Sequence, residues 1–419
     1  MEKKWIVSIL IVAVLIIAVF IGVTYQNSNP VTTKAEPLAV DTNATAESVA
    51  SLSSLMNNFS FNIYQRLSSN EDENIFFSPY SIFVALAMTY EGAKGDTANE
   101  MYDVLGFPQN DDISLCSFGR IYNEFNQKKE YTLNTANALW IKKGYEFLSQ
   151  YLTFINDYYM GRATEVDFSN PVNAAALIND WIKENTGGKI KDLIKESDIH
   201  EALTMILTNA IYFKGLWANQ FDPEDTNDRD FKLSSGSTIS VPTMSLSDDD
   251  TSWNYTETDD LQILELPYKG GKLSMYILLP KENNITALEE MINYENFTEW
   301  KNSLYKAQVE VFLPKFKLET EYSIKDHLKN MGMNIPFTPN ADFSGMDGKQ
   351  DLFIEKVRHK AFIEVNEEGT EAAAATSVHM ALTALPMFTE FNCNHPFIFL
   401  IQHKDTDVIL FMGKVENPQ

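Results

Sequence analysis

Residues 367–382 read EEGTEAAAATSVHMAL, and this stretch supports two readings at once. The alanines Ala372, Ala373, Ala374 and Ala375 favour helix. Yet Thr370, Ala372, Ala374, Thr376, Val378, Met380 and Leu382 are small or apolar, and they alternate with Glu371, Ala373, Ala375, Ser377 and His379. A period of two is the signature of a strand with one buried face. Gly369, beside Glu367 and Glu368, supplies a backbone hinge at the start. Beyond Thr383, the segment 384–394 is irregular and contains Pro386. The stretch reads either as an exposed loop whose first half is able to become a strand within a sheet, or as an alanine-rich surface helix. Composition alone leaves both open.

The flanks decide between them. Upstream, KVRHKAFIEVNEEGT (356–370) carries a strand, Ala361–Asn366, into the hinge. Downstream, FNCNHPFIFLIQHKDTDVILFMGKVENP (391–418) reads as a strand, a short polar turn and a second strand. Further long motifs are NIFFSPYSIFVALAMTYEGAKGDTANEM (74–101), LTNAIYFKGLWANQF (207–221) and VFLPKFKLETEYSIKDHLKNMGM (311–333). In this order and separation they make the chain, from Leu52 to Pro418, resemble the serpin family. The resemblance implies an α+β serpin fold of about nine helices and three β-sheets with an exposed reactive-centre loop.

The chain has 419 residues, of which 44% are hydrophobic, enough for a sizeable core. Residues 51–419 show no Gly/Ser-rich or Pro-rich break and read as one domain. Apolar spacing predicts helices over 51–67, 81–90 (capped by Ser78), 97–105, 171–186 and 320–332. Strands are predicted over 133–140, 205–213, 238–244, 262–267, 273–279 and 309–313. Helices crowd the first half and strands the second, an α+β pattern.

The formal net charge is -25. No basic patch suits nucleic acid. The region where some serpins carry a cluster for sulfated polysaccharides holds only Arg120, Lys128 and Lys129, so a glycosaminoglycan partner is not expected. No cofactor or metal is expected either. Cys116 and Cys393 fit no metal or redox spacing and read as free, partly buried thiols. There is no HExxH, GxSxG, phosphate loop or CxxC among the motifs. His379 and Ser377 would share one face of an extended strand without an orienting acid, so no enzyme is predicted.

The N-terminus reads MEKK and then WIVSILIVAVLIIAVFIGV, an uncharged run of 19 residues from Trp5 to Val23. That length spans a bilayer as a helix, and Lys3 and Lys4 favour a cytoplasmic N-terminus. TYQNSNP after Val23 is a poor cleavage context. Residues 1–25 therefore read as a signal anchor in preference to a cleaved signal peptide, and 26–50 as a polar linker. Either reading exports the domain, anchored on the extracellular side of the membrane or secreted.

The resemblance also implies roles for residues. Glu367, Glu368, Gly369, Thr370, Glu371 and Ala372–Ala375 match the small-residue hinge of inhibitory members. Counting from Glu367 places the reactive bond between Thr383 and Ala384. The downstream half is longer than in familiar members, which keeps Leu382, Met380, Leu385 and Met387 as alternatives. Asn209, in an otherwise apolar strand, needs partners. With Ser78, Ser81 and His359 it matches a polar cluster beneath the central sheet, thought to govern whether sheet strands part. Trp217 matches the site under the top of the sheet where the loop enters, and Lys315 with Glu367 an ion pair there.

The implied function is inhibition of a serine protease by a monomeric suicide substrate, ending in a covalent complex. No Lys or Arg occurs between Glu367 and His395, so a trypsin-like target has nothing to grip. Chymotrypsin-, elastase- or subtilisin-like enzymes fit better. The alternative is a non-inhibitory serpin of storage, carrier or chaperone type, whose hinges carry bulky or charged residues.

Overall fold

A computed structural model describes residues 38–69, 73–126, 130–247, 251–370 and 388–419. The apolar run Trp5–Val23 lies outside them. Among the described residues no helix is long and apolar enough to cross a membrane. Residues 39–419 form one compact unit. Its first helix, Ala46–Leu67, begins inside the stretch read as linker, with Thr45 as its cap accepting from the Ser48 amide. Ala39 is buried and tied to the Asn123 side chain.

The described residues hold ten α-helices and three sheets. The central sheet has six strands in the order Phe316–Ser323, Lys356–Asn366, Gly369–Thr370, Met205–Leu216, Tyr131–Lys142, Arg162–Val166. A seven-stranded antiparallel sheet contains the last two long strands, Phe397–His403 and Ile409–Val415. A four-stranded sheet contains Val309–Pro314 and Thr389–Asn392.

The middle of the central sheet is covered on both sides, which is why residues 205–213 read as a near-continuous apolar run. Ala136, Ala138, Trp140, Ile206 and Ala210 face Ile178 and Ile182 of the helix Pro171–Asn185. The opposite faces, with Leu139, Ile141, Leu207, Ile211 and Phe213, join the main core beneath helices Ala46–Leu67 and Pro79–Tyr90. Strand Lys356–Asn366 alternates cleanly. Its odd-numbered residues from Val357 to Val365 are buried and most of the even-numbered ones only partly so.

One predicted helix is corrected. Residues 320–332 are not a single helix, because Phe316–Ser323 is an edge strand and only Lys325–Asn330 is helical. Phe316 and Leu318 are buried while Lys317 and Glu319 are exposed, a period of two that outweighs the helix-forming Glu and Lys residues. The helix Asp112–Asn126 was not anticipated. The cysteines are free, and both are fully rather than partly buried.

Candidate functional site: the seam of the central sheet

Two neighbouring strands of the central sheet run parallel. Lys356–Phe362 pairs in register with Ile206–Tyr212. Above Phe362 and Tyr212 the strands part, and the space between them receives Gly369 and Thr370. These two residues pair antiparallel with Asn366 and Val365 on one side and with Leu216 and Gly215 on the other. The seam is therefore closed below and forked at the top, with the start of the hinge in the fork.

The polar cluster sits on the core face across the closed part. Asn209 is the register partner of His359 on one side and of Asn137 on the other. The backbone N–H of Ser78 donates to Nε2 of His359 at 3.0 Å. Nε2 is therefore unprotonated, and Nδ1–H donates to Oδ1 of Asn209. The Asn209 amide donates to Ser81 Oγ and Asn137 Oδ1. Ser81 Oγ donates to Asn137 Oδ1 at 2.8 Å, and Ser78 Oγ to the Leu410 carbonyl at 2.6 Å. Burial pushes the His359 imidazole down to about 3, so it is neutral at physiological pH. All four predicted members, Ser78, Ser81, Asn209 and His359, are brought together. Asn137 was missed. A lone amide in the apolar run Ala136–Ile141 is the same signal that singled out Asn209.

At the fork, Lys315 Nζ lies 2.9 Å from Glu367 Oε1, and Thr226 Oγ1 donates to the same oxygen at 2.9 Å. Burial works to raise the Glu367 carboxyl, but backbone, Lys315 and Thr226 hydrogen bonds outweigh it and hold the group below its ordinary value. Trp217 lies on the other side of the hinge. Its indole N–H donates to the Asn366 carbonyl at 3.0 Å and its backbone N–H to the Glu368 carbonyl at 2.8 Å. Phe221 N–H reaches the Glu367 carbonyl at 2.9 Å. Tyr268, fully buried and stacked on Trp217 at 4.6 Å, was not predicted. It follows a strand and precedes a Gly-Gly turn, and nothing in its local sequence marks it.

Glu371, Ala372–Ala375, Met380, Leu382, Thr383, Ala384, Leu385 and Met387 lie outside the described residues, as do Ser377 and His379. Among the described residues no group of three or more His, Cys, Asp or Glu side chains is placed to hold a metal ion.

The family model for serpins, serine protease inhibitors, matches residues 54–418. The chain is a serpin. It is 42% identical over 367 residues to a serpin-like protein of Methanosarcina acetivorans, covering 87% of this chain and 85% of the relative. It is 40% identical to the leukocyte elastase inhibitor of Xenopus tropicalis, covering 88% and 99%. Among solved structures, human thyroxine-binding globulin superposes with a TM-score of 0.81 at 32% identity, covering 89% of this serpin and all of that chain. The serpin fold expected from sequence is present. Serpins in general act on proteases as inhibitors and not as catalysts, and the relatives named here include both an elastase inhibitor and a thyroxine-binding globulin.

Proposed function

We propose that this serpin inhibits a serine protease as a suicide substrate. The protease attacks the bond after Thr383 or one of its near neighbours and forms an acyl-enzyme with the loop. The severed hinge side then enters the seam as a new central strand, antiparallel to both neighbours, and carries the protease with it. The single observation that carries this reading is the fork. Two parallel strands, joined lower down, stand apart at the point where Gly369 and Thr370 enter.

Two features support it. Thr370 is fully buried and pairs with Val365, on the core-facing side of its strand. A strand continued from there turns the even-numbered side chains inward, and these are the small and apolar set. Insertion must outrun hydrolysis of the acyl-enzyme, so small residues next to the hinge favour trapping. The polar cluster then acts as the lock that holds the lower seam closed, and Trp217, Lys315 and Glu367 frame the point of insertion. The absence of Lys and Arg from Glu367 to His395 points to chymotrypsin-, elastase- or subtilisin-like targets. The apolar run Trp5–Val23 would tether the inhibitor to the outer face of a membrane.

The test is incubation with chymotrypsin, elastase, subtilisin and trypsin, followed by a denaturing gel and mass spectrometry of the released fragment. A stable inhibitor–protease band with any of the first three is expected, with cleavage within 380–387. Cleaved product alone from all four enzymes would overturn the proposal and favour a non-inhibitory serpin.

A further inference from the structure

The hinge is bound before any protease arrives. Its backbone is held by the Phe221, Trp217 and Asn366 hydrogen bonds to residues 367–369, and its first inward side chain meets a specific partner. The hydroxyls of Tyr268 and Thr370 are 2.8 Å apart, and both residues are fully buried. Tyr268 has little freedom to be elsewhere. Its ring stacks on Trp217 and meets Phe213 edge-on at 5.1 Å, and Trp217 is itself pinned to Asn366.

The backbone around this contact is cut to fit. Gly369 has φ +153°, and a Cβ there would stand 2.1 Å from the Gly215 carbonyl oxygen. Across the ladder, a Cβ on Gly215 would stand 3.0 Å from Tyr268 Cδ1 and 2.8 Å from Phe213 Cζ. Glycine on both facing strands thus permits an approach of Thr370 to Tyr268 that any other residue would obstruct. A hinge that merely passed over the sheet would need neither.

We propose that Tyr268 is a positioning residue that docks the hinge in the uncleaved protein, through its hydroxyl and that of Thr370, so that insertion begins from a ladder already started. Closing the first pairs of a strand costs conformational freedom before it gains hydrogen bonds. With Gly369 and Thr370 in place, what remains after cleavage is propagation down the seam. The effect on trapping rests on the inhibitory reading above, whereas the docking itself does not.

Hydrogen exchange of the peptide 365–370 in the uncleaved full chain tests the docking without any protease. Tyr268→Phe keeps the ring stack and strands the Thr370 hydroxyl, and Thr370→Val strands the phenol. Each single variant should speed exchange of this peptide by about tenfold or more, because a buried hydroxyl without a partner is costly. The double variant Tyr268→Phe, Thr370→Val removes both polar groups and should return to within about threefold of the parent, since an apolar pair of similar shape restores docking. The ratio of covalent complex to cleaved product with chymotrypsin should fall in the singles and recover in the double. Rapid exchange in the parent, unchanged exchange in both singles, or a double as loose as the singles would overturn the docking. The expected exchange pattern with an unmoved complex ratio would overturn the positioning role. If no protease forms a complex while the exchange pattern holds, the docking stands and the inhibitory reading falls alone.

Discussion

His359 and Asn209 face each other in register on the two parallel strands of the closed seam, and their side chains are hydrogen-bonded across it. The imidazole is neutral, buried and held near 3. Its folded value lies below the unfolded one of 6.5. Between those limits the unfolded chain binds a proton that the folded chain refuses. This contribution to stability is therefore intact above pH 6.5 and is lost as the pH falls toward 3. Urea midpoints at several pH values for the parent and His359→Gln should show a steeper acid loss in the parent. Parallel curves would mean that the imidazole titrates normally. At neutral pH the variant should still be destabilised, by about 1–3 kcal/mol, because a glutamine whose amide oxygen accepts from Ser78 leaves Asn209 Oδ1 without the donor that Nδ1–H supplied.

A second buried group titrates with the opposite sign. Glu91 caps the helix Pro79–Tyr90 and accepts from Tyr159 Oη at 2.9 Å and from the Asn110 amide at 3.0 Å. Burial raises its carboxyl to about 7, against partial relief from those hydrogen bonds and from Lys94. Here the folded chain holds a proton that the unfolded chain has released, so stability declines as pH rises from 4.5 through 7. Glu91→Gln removes the titration. Relative to the parent, the variant should gain on the order of 3 kcal/mol over that interval. A pH-independent difference in guanidinium midpoint would count against a protonated Glu91.

Thr370→Arg should convert the inhibitor into a substrate. Position 370 is fully buried against Tyr268, and a guanidinium there has no partner. Expelling the hinge slows insertion, and hydrolysis of the acyl-enzyme wins. The fraction of serpin ending as covalent complex should drop to about a tenth or less. A gel showing the parental ratio would place Thr370 outside the inserting strand.

Cleavage near Thr383 should raise thermal stability. Cutting a chain ordinarily loosens it by freeing two ends. If the proposed insertion occurs, the two strands exchange their mutual pairing for a new strand between them, and each apolar side chain of that strand fully buried contributes roughly 1.5–3 kcal/mol. For a chain of this size each kcal/mol is worth about 1 °C, so burial of Val378, Met380 and Leu382 alone would give a rise on the order of 5–10 °C. Calorimetry before and after a single nick measures it directly. A lowered midpoint would show that the loop stays out of the sheet.

Much of this architecture was legible in the sequence, for local reasons. The Ser78 cap before Pro79 and the amide of Asn209 inside an apolar strand are each visible within a few residues, whereas the alternation after Thr370 lies outside the described residues. What could not be read depends on distant partners. Tyr268 matters because of Thr370, separated from it by 102 residues, and the phenol carries no local mark. The end of the edge strand Phe316–Ser323, residues 320–323, was misread as the start of a helix because the Glu, Lys and Leu residues of 320–332 favour helix, while pairing with Lys356–Asn366 settles the matter in the fold. Asn137 was overlooked for want of applying one rule twice.

The antiparallel register at the fork has a further consequence. Thr370 stands opposite Val365 and Gly215. Each further residue of an inserting strand descends one step along both neighbours, so Thr376 arrives between His359 and Asn209. Among the inward-facing residues that follow Thr370, namely Ala372, Ala374, Thr376, Val378, Met380 and Leu382, it is the only hydroxyl. Prying the seam apart strips two buried polar groups of each other, and the residue delivered to that level is one able to bond to both. We predict that Thr376→Val lowers the unfolding midpoint of the cleaved form more than that of the uncleaved one, and an equal loss in both would refute the alignment. The row of polar side chains then works as a vernier: it accepts the new strand at one setting and penalises a slip of a single residue in either direction.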